Sequence, residues 1–135
     1  MKRVLILGLL APLVLASRAG AQALPQLNND TTWEGRPLSA WIEDLKAQAP
    51  YIRHRAAYTI SSLGPHAKAA VPALIEALKD PVRAVRYAAA YALSEIGSAA
   101  SDAIPALTDA EDDVDDDVAF MAKKAIKKIQ ATGTP

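Results

Sequence analysis

The sequence predicts an all-α protein, a short solenoid of three helical hairpins, and three observations carry that prediction. An internal period of 33 residues runs through most of the chain. Residues 51–80 set above 84–113 match at 13 of 30 positions without a gap, pairing Arg53 with Arg86, Tyr58 with Tyr91, Gly64 with Gly97 and Pro72 with Pro105. The composition is apolar mainly through small side chains, with 29 Ala and only seven aromatic residues in 135, which suits helices that approach one another closely. Apolar residues recur at i, i+4, i+8 and i+11, as Ile52, Ala56, Ile60 and Leu63 do, and Gly64 then ends the run.

Residues 1–21 read as a secretory signal peptide. Lys2 and Arg3 precede an apolar run over 4–16, and Ala19 and Ala21 supply the small-residue pattern that places cleavage after Ala21. The run contains Pro12 and is shorter than the ~20 residues of a spanning helix, so no stable membrane anchor is expected after cleavage. A periplasmic or secreted protein is expected. Residues 22–33 are polar, without helical period, and read as a flexible leader.

The repeats follow at 34–66, 67–99 and 100–130, with 131–135 as a disordered tail. Each repeat holds a short first helix, predicted over 38–47, 71–79 and 104–111, opening near a Ser or Pro suited to a helix start. The second helices are predicted over 51–63, 82–96 and 114–130, and Gly64 and Gly97 stop the first two. Neither helix of a pair can bury its apolar stripe alone, so the hairpins must stack.

The segment "AAVPALIEALKDPVRAVRYAAAYALSEIG" (69–97) resembles the HEAT-like repeats named after phycobilisome lyases, and the resemblance extends over about 38–130, strongest in the second repeat and weakest in the third. It implies a right-handed solenoid whose second helices line a concave surface that holds partner proteins. It also implies a ladder between an Asp at the end of a first helix and an Arg early in a second. Asp80, Asp113, Arg53 and Arg86 match those positions, whereas Ala47 and Ala119 depart from them at the two ends. The segment "WEGRPLSAWIEDL" loosely resembles the start of secreted HEAT-repeat proteins, and Trp33 and Trp41 within it are expected to seal the N-terminal end of the stack.

An aromatic stripe is the main candidate site. The 33-residue offset places His54 beside Tyr87 and Phe120, and Tyr58 beside Tyr91 and Lys124, and residues 54 and 58, or 87 and 91, lie one helical turn apart. Two arrangements are open: the rings face the groove, or they pack as core between helices. As a groove, His54, Arg55, Tyr58, Tyr87, Tyr91 and Phe120 would hold a partner, because tyrosine brings large rigid area and one polar tip. Arg53, Arg55, Arg83 and Arg86 flank the rings, which would make the strip basic and suited to an acidic or extended segment.

Other chemistries find little in the chain. Cysteine is absent, which removes disulfides, thiolate metal sites and thiol nucleophiles. His54 and His66 have no acidic or second His partner at i+3 or i+4, so neither a metal site nor a catalytic dyad is expected. Ser61, Ser62 and Ser94 fall on helices without an acid–His set, and the six glycines are scattered singly, so no hydrolase elbow or phosphate loop appears. Seven carboxylates crowd residues 109–117 without the glycine and terminal Glu of an EF-hand. They read as charges at a helix N-terminus, with Lys123, Lys124, Lys127 and Lys128 toward its C-terminus. Fifteen basic residues balance fifteen acidic ones, and cleavage after Ala21 leaves a formal charge of −3, which disfavours nucleic acid. The expected role is a non-enzymatic protein- or peptide-binding scaffold without a cofactor. A tetrapyrrole lyase-like factor and a nucleic-acid-binding HEAT-like protein are the alternatives.

Overall fold

The computed structural model describes residues 32–133, so the signal-peptide and most of the leader assignments lie outside the described residues. The described residues open on a two-residue antiparallel pair, β1 (Thr32–Trp33) and β2 (Arg36–Pro37). Glu34 and Gly35 turn between them with φ of 53° and 73°, the positive dihedrals that a tight hairpin needs. This small hairpin stands where the flexible leader was expected to run into the first repeat.

Three pairs of α-helices follow: α1 (Leu38–Asp44) with α2 (Pro50–Ser62), α3 (Val71–Ala77) with α4 (Arg83–Ile96), and α5 (Ile104–Ala110) with α6 (Asp116–Thr132). Pro50, Pro72 and Pro105 occupy first turns, where the missing amide costs no hydrogen bond. The first helices end one to three residues before the predicted boundaries because their last turns tighten, as where the Lys46 amide donates to the Glu43 carbonyl at 3.0 Å. The third second helix runs to Thr132, two residues into the expected tail.

Gly64 and Gly97 end α2 and α4 with φ of 54° and 72°, as their positions suggested. The connection beyond them is more than a plain loop. Each glycine opens a 3-10 arm, Gly64–Ala70 and Gly97–Ala103, bent at Ala67 and Ala100. Ala67, Ala70, Ala100 and Ala103 are fully buried, so the alanine content serves these arms as well as the α-helices. Consecutive second helices pack directly on one another, whereas a first helix meets the next repeat chiefly through the arms. The second-helix row is therefore the more closely packed one.

The repeat register explains how the stack ends. Ala57 and Ala90 are fully buried between second helices, and the third repeat has exposed Lys123 in their place. Ser61 and Ser94 are likewise buried where the third repeat has exposed Lys127. On the other side of the helix, Ala88 and Met121 are buried against the preceding repeat, and the first repeat has exposed Arg55. Polar residues thus replace small or apolar ones only where no neighbouring repeat covers them, as a capped solenoid requires.

The inter-repeat ladder follows the same logic. Arg53 donates through Nε and Nη2 to Asp80 at 2.6 and 3.0 Å and through Nη1 to the carbonyls of Ala47 and Gln48, both at 2.8 Å. Arg86 repeats this one unit on, with 2.7 and 2.9 Å to Asp113 and 2.9 Å to the Asp80 carbonyl. Each arginine therefore joins its own turn to the next repeat's turn. Burial pushes the Asp80 carboxyl up, but the hydrogen bonds from Arg53 and the Val82 amide, with both guanidinium charges, hold it below its ordinary value. The hydrogen bond from Arg86 lowers Asp113 against its burial, and the Asp115 amide adds to that. Donating hydrogen bonds to Asp80 and Asp113 raises Arg53 and Arg86 respectively above the ordinary guanidinium value.

Candidate functional site

The solvent face of the second helices is set by heptad-like spacing within each helix and by the 33-residue offset between helices. It presents Tyr51, His54 and Tyr58 from α2; Ala84, Tyr87 and Tyr91 from α4; and Asp117, Phe120 and Lys124 from α6. The rings face out rather than forming core: Tyr51 and Phe120 are each 68% exposed, Tyr58 58% and Tyr87 41%. Tyr91 is the intermediate case, half-buried and packed against the core.

His54, Tyr58 and Tyr91 form a continuous stack. His54 and Tyr58 have ring centroids 6.5 Å apart at 22°, and Tyr58 and Tyr91 6.2 Å apart at 24°. In the neighbouring column the rings stay apart, and a depression of about 650 Å³ opens among His54, Arg83, Ala84, Tyr87, Asp117 and Phe120. Ala84 leaves room there because it is the small member of the register that holds Tyr51 and Asp117 in the other repeats. Five of the six expected partner-binding residues thus share one face.

Arg55 does not join them. Its guanidinium carbon lies 5.4 Å from the centroid of Trp41, at the uncovered N-terminal side of the first repeat. The physical reason is its register with buried Ala88 and Met121, which points it along the stack axis instead of into the groove. Trp41 seals that end as expected, at 1% exposure and with Arg36 4.1 Å from its ring, itself paired to Asp44. Trp33 does not seal it: on β1 it remains 40% exposed.

The strip is also not basic in the way the flanking arginines suggested. Arg53 and Arg86 belong to the ladder, and Arg83 is held by Asp115 at 2.9 Å and Asp117 at 2.6 Å. Three of the seven carboxylates of 109–117 are engaged in structure: Asp113 in the ladder, Asp115 as the cap of α6 accepting from the Asp117 and Val118 amides, and Asp117 on Arg83. The lysines of α6 lie toward its C-terminus, as expected, but stop short of its last turn. Lys123 and Lys127 cover the C-terminal side, Lys124 extends the ring stack's register, and Lys128 bonds Glu95 at 2.8 Å. Among the described residues no group of His, Asp and Glu is arranged to hold a metal ion, and no helix is long and apolar enough to cross a membrane.

Tyr51 is the residue that sequence reasoning missed. Its spacing from His54 and Tyr58, i, i+3 and i+7 on one helix, was the available signal.

Stacked helical hairpins joined by an Arg–Asp ladder, with an exposed face along the row of second helices, define an α-solenoid of the repeat-scaffold class. Residues 38–127 match the family model of HEAT repeats, and the chain belongs to that family, whose repeats commonly act as protein-binding scaffolds. No curated protein matches the chain.

Proposed function

We propose that this protein is a non-enzymatic scaffold that holds a protein or peptide partner on the concave second-helix face. The carrying observation is where its uncovered apolar area lies. Of the exposed large hydrophobic residues among those described, Tyr51, Tyr58, Tyr87 and Phe120 share that face, leaving only Trp33 and Val114 elsewhere. Rings held in register by three helices are pre-organised, which reduces the ordering cost of binding. The engagement of Arg53, Arg83 and Arg86 by carboxylates weighs against phosphate backbone as the ligand, since counterion-releasing contacts need uncommitted cations. The signal-peptide pattern of residues 1–21 supports a site of action outside the cytoplasm, tested by the mass of the exported chain, which should begin at Gln22.

Replacing Tyr58, Tyr87 and Phe120 together with Ser tests the scaffold reading. Capture of partners from a periplasmic extract should be lost while helicity and melting stay close to wild type, because all three rings are exposed. Unchanged capture would overturn the assignment of this face.

A further inference from the structure

We infer that the depression between Tyr87 and Phe120 receives a cationic side chain, an arginine or lysine on an extended segment of the partner. This rests on the second-helix face being the docking face. It reverses the ligand charge that the flanking arginines suggest from sequence.

Two features of the depression point the same way. The first is its rings. His54, Tyr87 and Phe120 border it, one from each repeat, and Tyr87 and Phe120 do not stack on each other. Among the described residues only the Trp41 ring has a guanidinium over it, so the faces of Tyr87 and Phe120 remain open to a cation. The second is the local charge. Arg83 and Asp117 of the lining offset each other, and Asp115, which lies outside the lining at 2.9 Å from Arg83, gives this cluster of one cation and two carboxylates a net negative charge. Arg83 holds one oxygen of Asp117, and the other accepts no hydrogen bond from the described residues while the side chain is 68% exposed. A guanidinium placed in the depression would have the free Asp117 oxygen as an acceptor and the Tyr87 and Phe120 rings beside it.

The same geometry fixes which way the ligand lies. Lys124, one turn beyond Phe120, has no carboxylate within ion-pair distance among the described residues and repels a cation placed there. The basic side chain is therefore held to the Asp117 end of the strip, and the following residues of the segment cross toward Tyr58 and Tyr91.

The test uses nine-residue serine/leucine peptides with a central arginine, citrulline or glutamate, titrated into the protein and followed by NMR shifts of the Tyr87 and Phe120 rings. The arginine peptide should bind about tenfold more tightly than the citrulline and glutamate peptides. Asp117→Asn should weaken the arginine peptide by a similar factor and leave the citrulline peptide unchanged. Phe120→Ala, at an exposed position, should remove arginine binding without lowering the melting temperature. Equal binding of arginine and citrulline, tighter binding of glutamate, an unaffected Asp117→Asn variant, or no saturable shift by 10 mM arginine peptide (about the weakest single-side-chain contact worth the name) would each overturn the inference. If the serine triple variant loses partner capture while the arginine peptide fails, only the ligand charge is wrong; if capture survives the triple variant, the docking face itself is wrong.

Discussion

Leu93 is the best single probe of the stack, because α4 belongs to the middle repeat and is covered from both sides. Its side chain is fully buried, as is Ile60 in the same register of the first repeat, whereas Ile126 in the third is half-buried. Leu93→Ala removes about 2 to 2.5 kcal/mol of transfer free energy, at about 0.8 kcal/mol for each buried methylene equivalent. A residual cavity of about 60 Å³ adds about 1.5 kcal/mol at about 24 cal/mol per Å³, giving a loss near 4 kcal/mol. For a folded body of about 100 residues that corresponds to a fall in melting temperature of about 15 to 30 °C. Urea unfolding followed by circular dichroism measures the loss directly, and Ile126→Ala should cost about half as much because solvent already reaches that position. A Leu93→Ala loss under about 1 kcal/mol, or one no larger than that of Ile126→Ala, would refute the two-sided burial of the middle repeat.

The ladder should make stability fall in acid with a recognisable sign. Asp80 and Asp113 are held below the ordinary carboxylate value in the folded chain, so their contribution is complete above about pH 4 and is lost as pH falls through their folded values. Asp80→Asn with Asp113→Asn should therefore be less stable than wild type at pH 6 but lose less between pH 5 and pH 2, as read by melting temperature across that range. Gly97→Ala places a side chain at φ 72° with its Cβ 3.2 Å from the Thr132 hydroxyl, and should cost about 1 to 2 kcal/mol or more from backbone strain. Gly64→Ala, strained but with its nearest neighbour at 3.6 Å, should cost less in the same unfolding assay. Ala90→Lys puts at a fully buried inter-repeat position the residue that Lys123 carries in the open, and should cost about 3 kcal/mol or more, whereas Lys123→Ala should stay within about 0.5 kcal/mol of wild type.

The helical architecture was readable because repetition multiplies weak local signals: Gly64 with Gly97 and Pro72 with Pro105 mark the same joints twice. The 3-10 arms were not, since segments such as "GPHAKAA" carry no period, and their burial depends on neighbouring repeats that only the fold brings near. The aromatic strip was half-readable. Offset and helical spacing brought five residues to one face, but spacing alone could not separate core from groove, and only the exposure of Tyr58, Tyr87 and Phe120 decides it. Arg55 shows how a register misleads when taken one helix at a time. Beside His54 it resembles a groove residue; beside Ala88 and Met121 it is the polar replacement on an uncovered end. Charge was the least readable property, because the partners of Arg53 and Arg86 lie 27 residues away and those of Arg83 lie 32 and 34 away.

Chemical-shift mapping of the isotopically labelled protein against its captured partner tests the central claim most directly. Perturbations should form one continuous patch over His54, Tyr58, Tyr87, Tyr91, Asp117 and Phe120, with the first helices and both capped ends unmoved. A patch centred on the first helices, on the 3-10 arms or on Arg55 and Trp41 would contradict the account.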